Sequence, residues 1–274
     1  MDKCLKSILK NKFYANGYIF YGAEGLGKKQ TALKFIKEIF KQSSPNENIE
    51  EKITNNNYPD FLTIEPNSPL DSNRSKVSDN EKNTKNVSEI IKIDQIRKIK
   101  TFFGQKSITS GKKIVLIIDA HQLNEAASNC LLKTLEEPGN GIIILLTSKL
   151  NLLLDTIISR CQTVRFRSFS SKQINTILKD YLDPSKFNIT KKLKVEDLVN
   201  SANGSPGKLL KNIEIWNELS DEITSKFDYP LKNSLEILEV SKLINEKLEI
   251  YQQIFLVNLI QIIWWRKTKN INLV

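Results

Sequence analysis

The residues best suited to chemistry are Gly22-Ala23-Glu24-Gly25-Leu26-Gly27-Lys28-Lys29, a G-x-x-x-x-G-K run in which lysine stands where serine or threonine would complete a phosphate-binding loop. In a complete loop the glycines let backbone N–H groups wrap the phosphates, the lysine reaches the terminal ones, and the last hydroxyl holds Mg²⁺. Gly22, Gly25, Gly27 and Lys28 keep the phosphate grip, but the ammonium of Lys29 cannot hold a metal. A second candidate is Asp119, the acid that closes the apolar run Lys113-Ile114-Val115-Leu116-Ile117-Ile118. At the carboxyl end of a central strand beside such a loop, an aspartate holds Mg²⁺ through its water shell; standing alone, it reads as a fold residue or a residual metal contact. His121, the single histidine of the chain, is of the residue type suited to general-base chemistry, yet it has no orienting partner visible in the sequence, which favours a strand-end surface histidine.

These groups need a scaffold, and the apolar pattern supplies one. Tyr18 to Tyr21 reads as a short buried strand before the loop, and Gln30 to Phe40 as the helix after it, with Ala32, Phe35, Ile36 and Ile39 at helical spacing. The run ending at Asp119 and the run Ile142 to Thr147 read as parallel strands buried on both faces. Between those two strands a helix capped by Asn124 carries Leu123, Ala126, Ala127, Cys130, Leu131 and Leu135 on one face and stops before Pro138. Helical spacing also runs through Ile90, Ile93, Ile96 and Ile99 to about Gly104, and Thr163 to Phe166 forms a short strand. Residues 41–88 turn to Asn, Ser, Lys, Glu and Asp around one ordered island, Tyr58 to Pro66, and residues 67–87 are expected to be mobile. After Phe169 the pattern is wholly helical, with breaks near Ser168 and after Ile213.

The 274 residues, 40% of them hydrophobic, suffice for two or three packed units. The formal charge of +10 suits an acidic partner such as nucleic acid, and it equally suits a lysine-rich solvated surface. Three scattered cysteines, Cys4, Cys130 and Cys161, encode neither a disulfide framework nor a zinc site, which points to a reducing cytoplasm. No segment reaches the roughly 20 apolar residues that span a bilayer, and Ile254 to Trp265, broken by Asn258 and Gln261, reads as a buried helix. Trp264 and Trp265 could stack on bases, but adjacent aromatics closing an apolar helix read first as core and interface.

Several motifs in order resemble the AAA+ clamp-loader family of bacterial DNA polymerase III. They are Gly22 to Lys28, Tyr58-Pro59-Asp60, Ile93-Asp94-Gln95-Ile96-Arg97, Asn129-Cys130-Leu131-Leu132-Lys133-Thr134-Leu135-Glu136-Glu137-Pro138, Ser159-Arg160-Cys161 and Gly204-Ser205-Pro206-Gly207. The resemblance covers about residues 1–213. It implies an α/β fold: an AAA+ core with a parallel sheet over 1–168, a small helical lid over 169–213, and a short all-helical collar over 214–274.

By this resemblance Arg160, read alone as an exposed loop arginine, is an arginine finger that reaches into a neighbouring subunit's ATP site, flanked by Ser159 and Cys161. Thr147 takes the sensor 1 position and Lys208 the sensor 2 position. Three departures stand out: Ala120 where hydrolysing members carry the catalytic glutamate, no four-cysteine zinc module, and a shortened collar. The expected protein is therefore a non-hydrolysing scaffold that needs no cofactor and no metal, with a weak or vestigial site for ATP or ADP. Its implied partners are gamma/tau-type and delta-type subunits, the sliding clamp and primed DNA, with no membrane. Rival readings are a hydrolysing gamma-type subunit and a stand-alone basic DNA-binding protein.

Overall fold

The computed structural model describes residues 3–43, 49–54, 57–66, 90–109, 111–181, 195–220, 223 and 234–271. Five strands, Gly17–Tyr21 (β1), Phe61–Ile64 (β2), Lys113–Ile117 (β3), Gly141–Thr147 (β4) and Gln162–Arg165 (β5), form an all-parallel sheet in the order β2-β3-β4-β1-β5. Successive side chains leave a strand on opposite faces, so continuous apolar strands require cover on both. Tyr18, Phe20, Leu116 and Ile144 pack on one face with Lys3–Asn11 (α1), Lys28–Ser43 (α2) and Ile49–Thr54 (α3). Ile19, Val115, Ile117 and Ile143 pack on the other with Ile93–Gly104 (α4), Glu125–Glu136 (α5) and Asp155–Ile158 (α6).

Local chemistry sets the element ends. Asn124 caps α5, its Oδ1 accepting from Ala127 N at 2.8 Å, and the helix stops two residues short of Pro138. The polar stretch 41–88 holds more order than its composition suggests: α2 continues to Ser43, and α3 buries Ile49 and Ile53 against the α2 face. Two isoleucines in a six-residue helix are too brief a periodicity to separate from loop. The expected mobile residues 67–87 lie outside the described residues.

The chain divides into two compact units, Met1–Ala23 with Gly27–Phe166, and Glu24–Leu26 with Arg167–Val274. The second unit contains Ser171–Tyr181 (α7), Val195–Ser201 (α8), Pro206–Glu218 (α9), Ser234–Lys247 (α10) and Ile250–Ile271 (α11). Its core gathers Ile174, Leu198, Leu209, Trp216, Phe255 and Leu259. The break expected after Ile213 falls inside α9, and Ile213 shares this core with Trp216 and Leu259, so lid and collar residues pack as one body. Helix α11 is half-buried rather than buried: Phe255, Leu256 and Leu259 face inward, while Ile254, Val257, Trp264 and Trp265 are exposed, which removes both tryptophans from the core. Among the described residues no helix is long and apolar enough to cross a membrane.

Asp60 ties the first unit together ahead of β2. Its buried carboxylate accepts from Ser107 Oγ (2.8 Å), Ile108 N (3.0 Å), Thr109 N (2.8 Å) and Thr109 Oγ1 (2.8 Å). Burial alone would raise its pKa, but the hydrogen bonds from Thr109, Ile108 and Ser107 outweigh burial and hold the carboxyl well below the ordinary carboxylate range. A lowered native pKa gives stability that is present above about pH 4 and lost as pH falls through the folded value. Asp60→Asn, which sets an amide donor against these donors, is expected to cost about 2–3 kcal/mol in denaturant unfolding at pH 7 and to flatten the acid dependence below about pH 4.

Candidate functional site

The loop follows β1 directly. Gly22 has φ of +149°, and a Cβ there would lie 2.4 Å from the Phe166 carbonyl oxygen, so only glycine allows the chain to turn beside β5. Lys28 opens α2, and its ammonium donates to Gly22 O at 2.6 Å and Ala23 O at 2.7 Å. The group meant for terminal phosphates thus sits on the loop's own carbonyls. Lys29, at the metal-ligand position, donates to Glu65 Oε1 at 2.9 Å just past β2. Gly25 and the rest of the loop tip, Glu24–Leu26, pack with the second unit. Ser205 caps α9 there, its Oγ accepting from Lys208 N and donating to Glu24 O at 2.7 Å, while Gly207 N donates to Gly25 O at 2.9 Å. Lys208 is exposed on the first turn of α9, and Gly27 takes φ of +80° before α2.

Asp119 and Thr147 stand at the carboxyl ends of β3 and β4, the two strands next in order after β1. The strand before Asp119 ends earlier than its apolar run suggests, at Ile117, and Asp119 adopts a left-handed conformation (φ +50°, ψ +49°) that leads into a 3₁₀ turn over Ala120–Gln122. Ala120 is fully buried in the core, so a methyl group fills the place after Asp119. Thr147 is also fully buried; its Oγ1 accepts from Lys149 N at 3.1 Å, and Gly22 N donates to its carbonyl at 3.3 Å. His121 Nδ1 lies 3.4 Å from Thr147 Oγ1, a contact across two loops that no sequence spacing encodes. Among the described residues no group of three or more His, Cys, Asp or Glu could hold a metal ion.

Ser159-Arg160-Cys161 forms the turn between α6 and β5, and its three side chains do different things. Ser159 Oγ donates to Thr156 O at 3.1 Å, closing the turn. Cys161 points inward: a Cβ on Gly17 of β1 would sit 2.6 Å from its Sγ, so the thiol is seated directly over the bare glycine. Burial pushes that thiol's pKa up to about 12, which makes it a packing group rather than a nucleophile. Arg160 points outward with 39% of its side chain exposed, its Nη1 donating to Thr156 O at 3.0 Å and its Nη2 to Glu136 Oε1 at 2.8 Å. Glu136 lies on the rim of an open groove of about 900 Å³ between α4 and α5 that also displays Arg97, Lys100 and Lys133.

Strand polarity separates these two sites. In β5, Gln162 is level with Tyr18, and Gly22 lies four residues further along β1. At about 3.3 Å per residue the loop and the Arg160 turn lie at opposite ends of these adjacent strands, more than about 13 Å apart along them. One side chain cannot bridge that distance.

A family model described as "DNA polymerase III, delta subunit" matches residues 1–170, and one described as "Cyanobacterial DNA polymerase III delta prime, C-terminal domain" matches residues 172–274. The chain belongs to the DNA polymerase III delta prime family. It is 31% identical over 178 residues to DNA polymerase III subunit delta' of Bacillus subtilis (strain 168), covering 63% of this chain and 48% of the relative. It is 30% identical over 213 residues to the tau subunit of the same organism, covering 74% of this chain and 34% of the relative. The chain thus spans about half or less of the length of these relatives. Among solved structures, the Thermotoga maritima RuvB Holliday junction branch migration motor matches with a TM-score of 0.50 at 15% identity, covering 90% of this chain and 69% of that one. That likeness is one of fold alone: a parallel-sheet core followed by helices.

The contrast between cysteines gives a direct check on the turn. A disulfide-exchange reagent at pH 8 is expected to modify exposed Cys4 in the native protein and to leave Cys161 untouched until denaturant is added, as read by peptide mass spectrometry. Equal native rates at the two thiols would contradict the seated position of Cys161.

Proposed function

We propose that this chain is a non-hydrolysing clamp-loader subunit that supplies Arg160 in trans to the ATP site of a neighbouring subunit while a sliding clamp is loaded onto primed DNA. The observation that carries this reading is the position of Arg160: an outward guanidinium at the end of the strands opposite its own phosphate loop. Such a group can serve phosphoryl chemistry only in another chain. A finger supplied this way stabilises charge on the transferring phosphoryl group and is worth roughly 10³ to 10⁵ in rate.

The chain's own loop suits the complementary part. Lys29 is paired with Glu65, Ala120 provides no base, and Lys28 must leave two carbonyls before it can meet a phosphate. Any ATP or ADP held by Gly22, Gly27 and Lys28, with Asp119 and Thr147 at the neighbouring strand ends, is then a static ligand and not a substrate. The partners of this reading are gamma/tau-type and delta-type subunits, with the clamp and DNA met in the assembled complex. The likeness to a tau subunit supports a rival, hydrolysis by this chain itself. The two readings part at Lys29 and Ala120.

The test is reconstitution with partner subunits. Arg160→Ala is expected to lower the ATPase of the assembled complex by about 10³-fold at the site it serves, with assembly intact, while the isolated wild-type chain shows no turnover. Unchanged hydrolysis in an intact Arg160→Ala complex would overturn the finger, and ordinary ATPase by the isolated chain would favour the rival.

A further inference from the structure

We propose that Glu136 is the positioning residue for Arg160, an inference that rests on the finger reading above. Arg160 lies on a four-residue helix and turn, a support too short to orient a long side chain unaided. Two acceptors do so instead. Thr156 O takes one hydrogen from Nη1, and Glu136 Oε1, 24 residues away in sequence, takes one from Nη2. A guanidinium has five N–H donors in a rigid fork, so the two bonds fix its plane and leave Nε–H and one N–H on each terminal nitrogen for an anion brought by another chain.

Glu136 is well placed for this. It is the last residue of α5, a helix anchored in the core by Ala127, Leu131 and Leu135 and stopped ahead of buried Pro138, so its backbone is a firm base for an acceptor. It also sits at the negative end of the helix, where carboxylates are disfavoured and cations favoured, and Arg160 brings a positive charge to that end. Both side chains are substantially exposed, 39% for Arg160 and 51% for Glu136, so the ion pair adds little to folding stability. What it supplies is orientation. Glu137, also exposed at the same helix end, makes no such bond to Arg160 and serves as the internal control.

The experiment compares steady-state ATPase per assembled complex for Glu136→Ala, Glu136→Gln, Glu137→Ala, Arg160→Ala and the double variant Glu136→Ala with Arg160→Ala. Misplacing a positioned group by about 1 Å costs up to roughly 100-fold in rate. Glu136→Ala is therefore expected to lower turnover at the site Arg160 serves by about 10-fold with KM unchanged, and Glu136→Gln, which keeps the acceptor oxygen, to recover most of it. Glu137→Ala should match wild type, and the double variant should be no slower than Arg160→Ala alone, because a positioning residue has nothing to act on once the finger is gone. If Arg160→Ala is slow while Glu136→Ala is not, or if the two effects multiply, the positioning role is overturned and the finger stands. If Arg160→Ala itself leaves the rate unchanged, both are overturned.

Discussion

All five strands of the core run in one direction, and that shared polarity governs what each end of the sheet can do. The carboxyl ends of β1, β3 and β4 gather the glycine loop, Asp119 and Thr147 at one end. The amino end of β5 carries the Arg160 turn at the other. Because β1 and β5 run in parallel, the end of one and the start of the other lie at opposite ends of the strands, so the glycine loop and the Arg160 turn do not face one ligand. In the proposed role the Arg160 end acts on a neighbouring subunit's nucleotide, and the loop end holds at most a static one.

The two ends are maintained by different forces. The phosphate loop is tied down by backbone bonds and by lysines that satisfy internal acceptors, Lys28 on Gly22 and Ala23, and Lys29 on Glu65. These half-exposed contacts add little stability, yet a ligand would have to displace those of Lys28. The Arg160 turn is held by packing, through Cys161 seated on Gly17 at the first residue of β1. Far from both, the buried Asp60 carboxylate organises residues 107–109 and so braces the segment that leads into β3.

Much of this was legible in the chain. The β1, loop and α2 unit, the central strands, the Asn124 cap and the stop before Pro138 follow from period, length and capping chemistry, because those signals are local. Helices α1 and α3 were not read, since nine and six residues with few apolar positions lack a resolvable period. The break at Ile213 was misplaced because α9 bears core residues on both sides of it, Leu209 and Ile213 before and Trp216 after. In the candidate site, residue identities were legible from motif spacing, whereas their partners were not. Lys29 with Glu65, His121 with Thr147 and Arg160 with Glu136 join residues 36, 26 and 24 positions apart, and only tertiary structure makes them neighbours.

The central claim is that this chain contributes an arginine and no turnover of its own. Its most direct test is Lys28→Ala in the reconstituted complex, reading ATP hydrolysis per assembled particle in the presence of clamp and primed DNA. The account predicts a rate per assembled particle equal to wild type, since any nucleotide that Lys28 helps to hold is not hydrolysed. A rate reduced by the share of one working ATP site would contradict it.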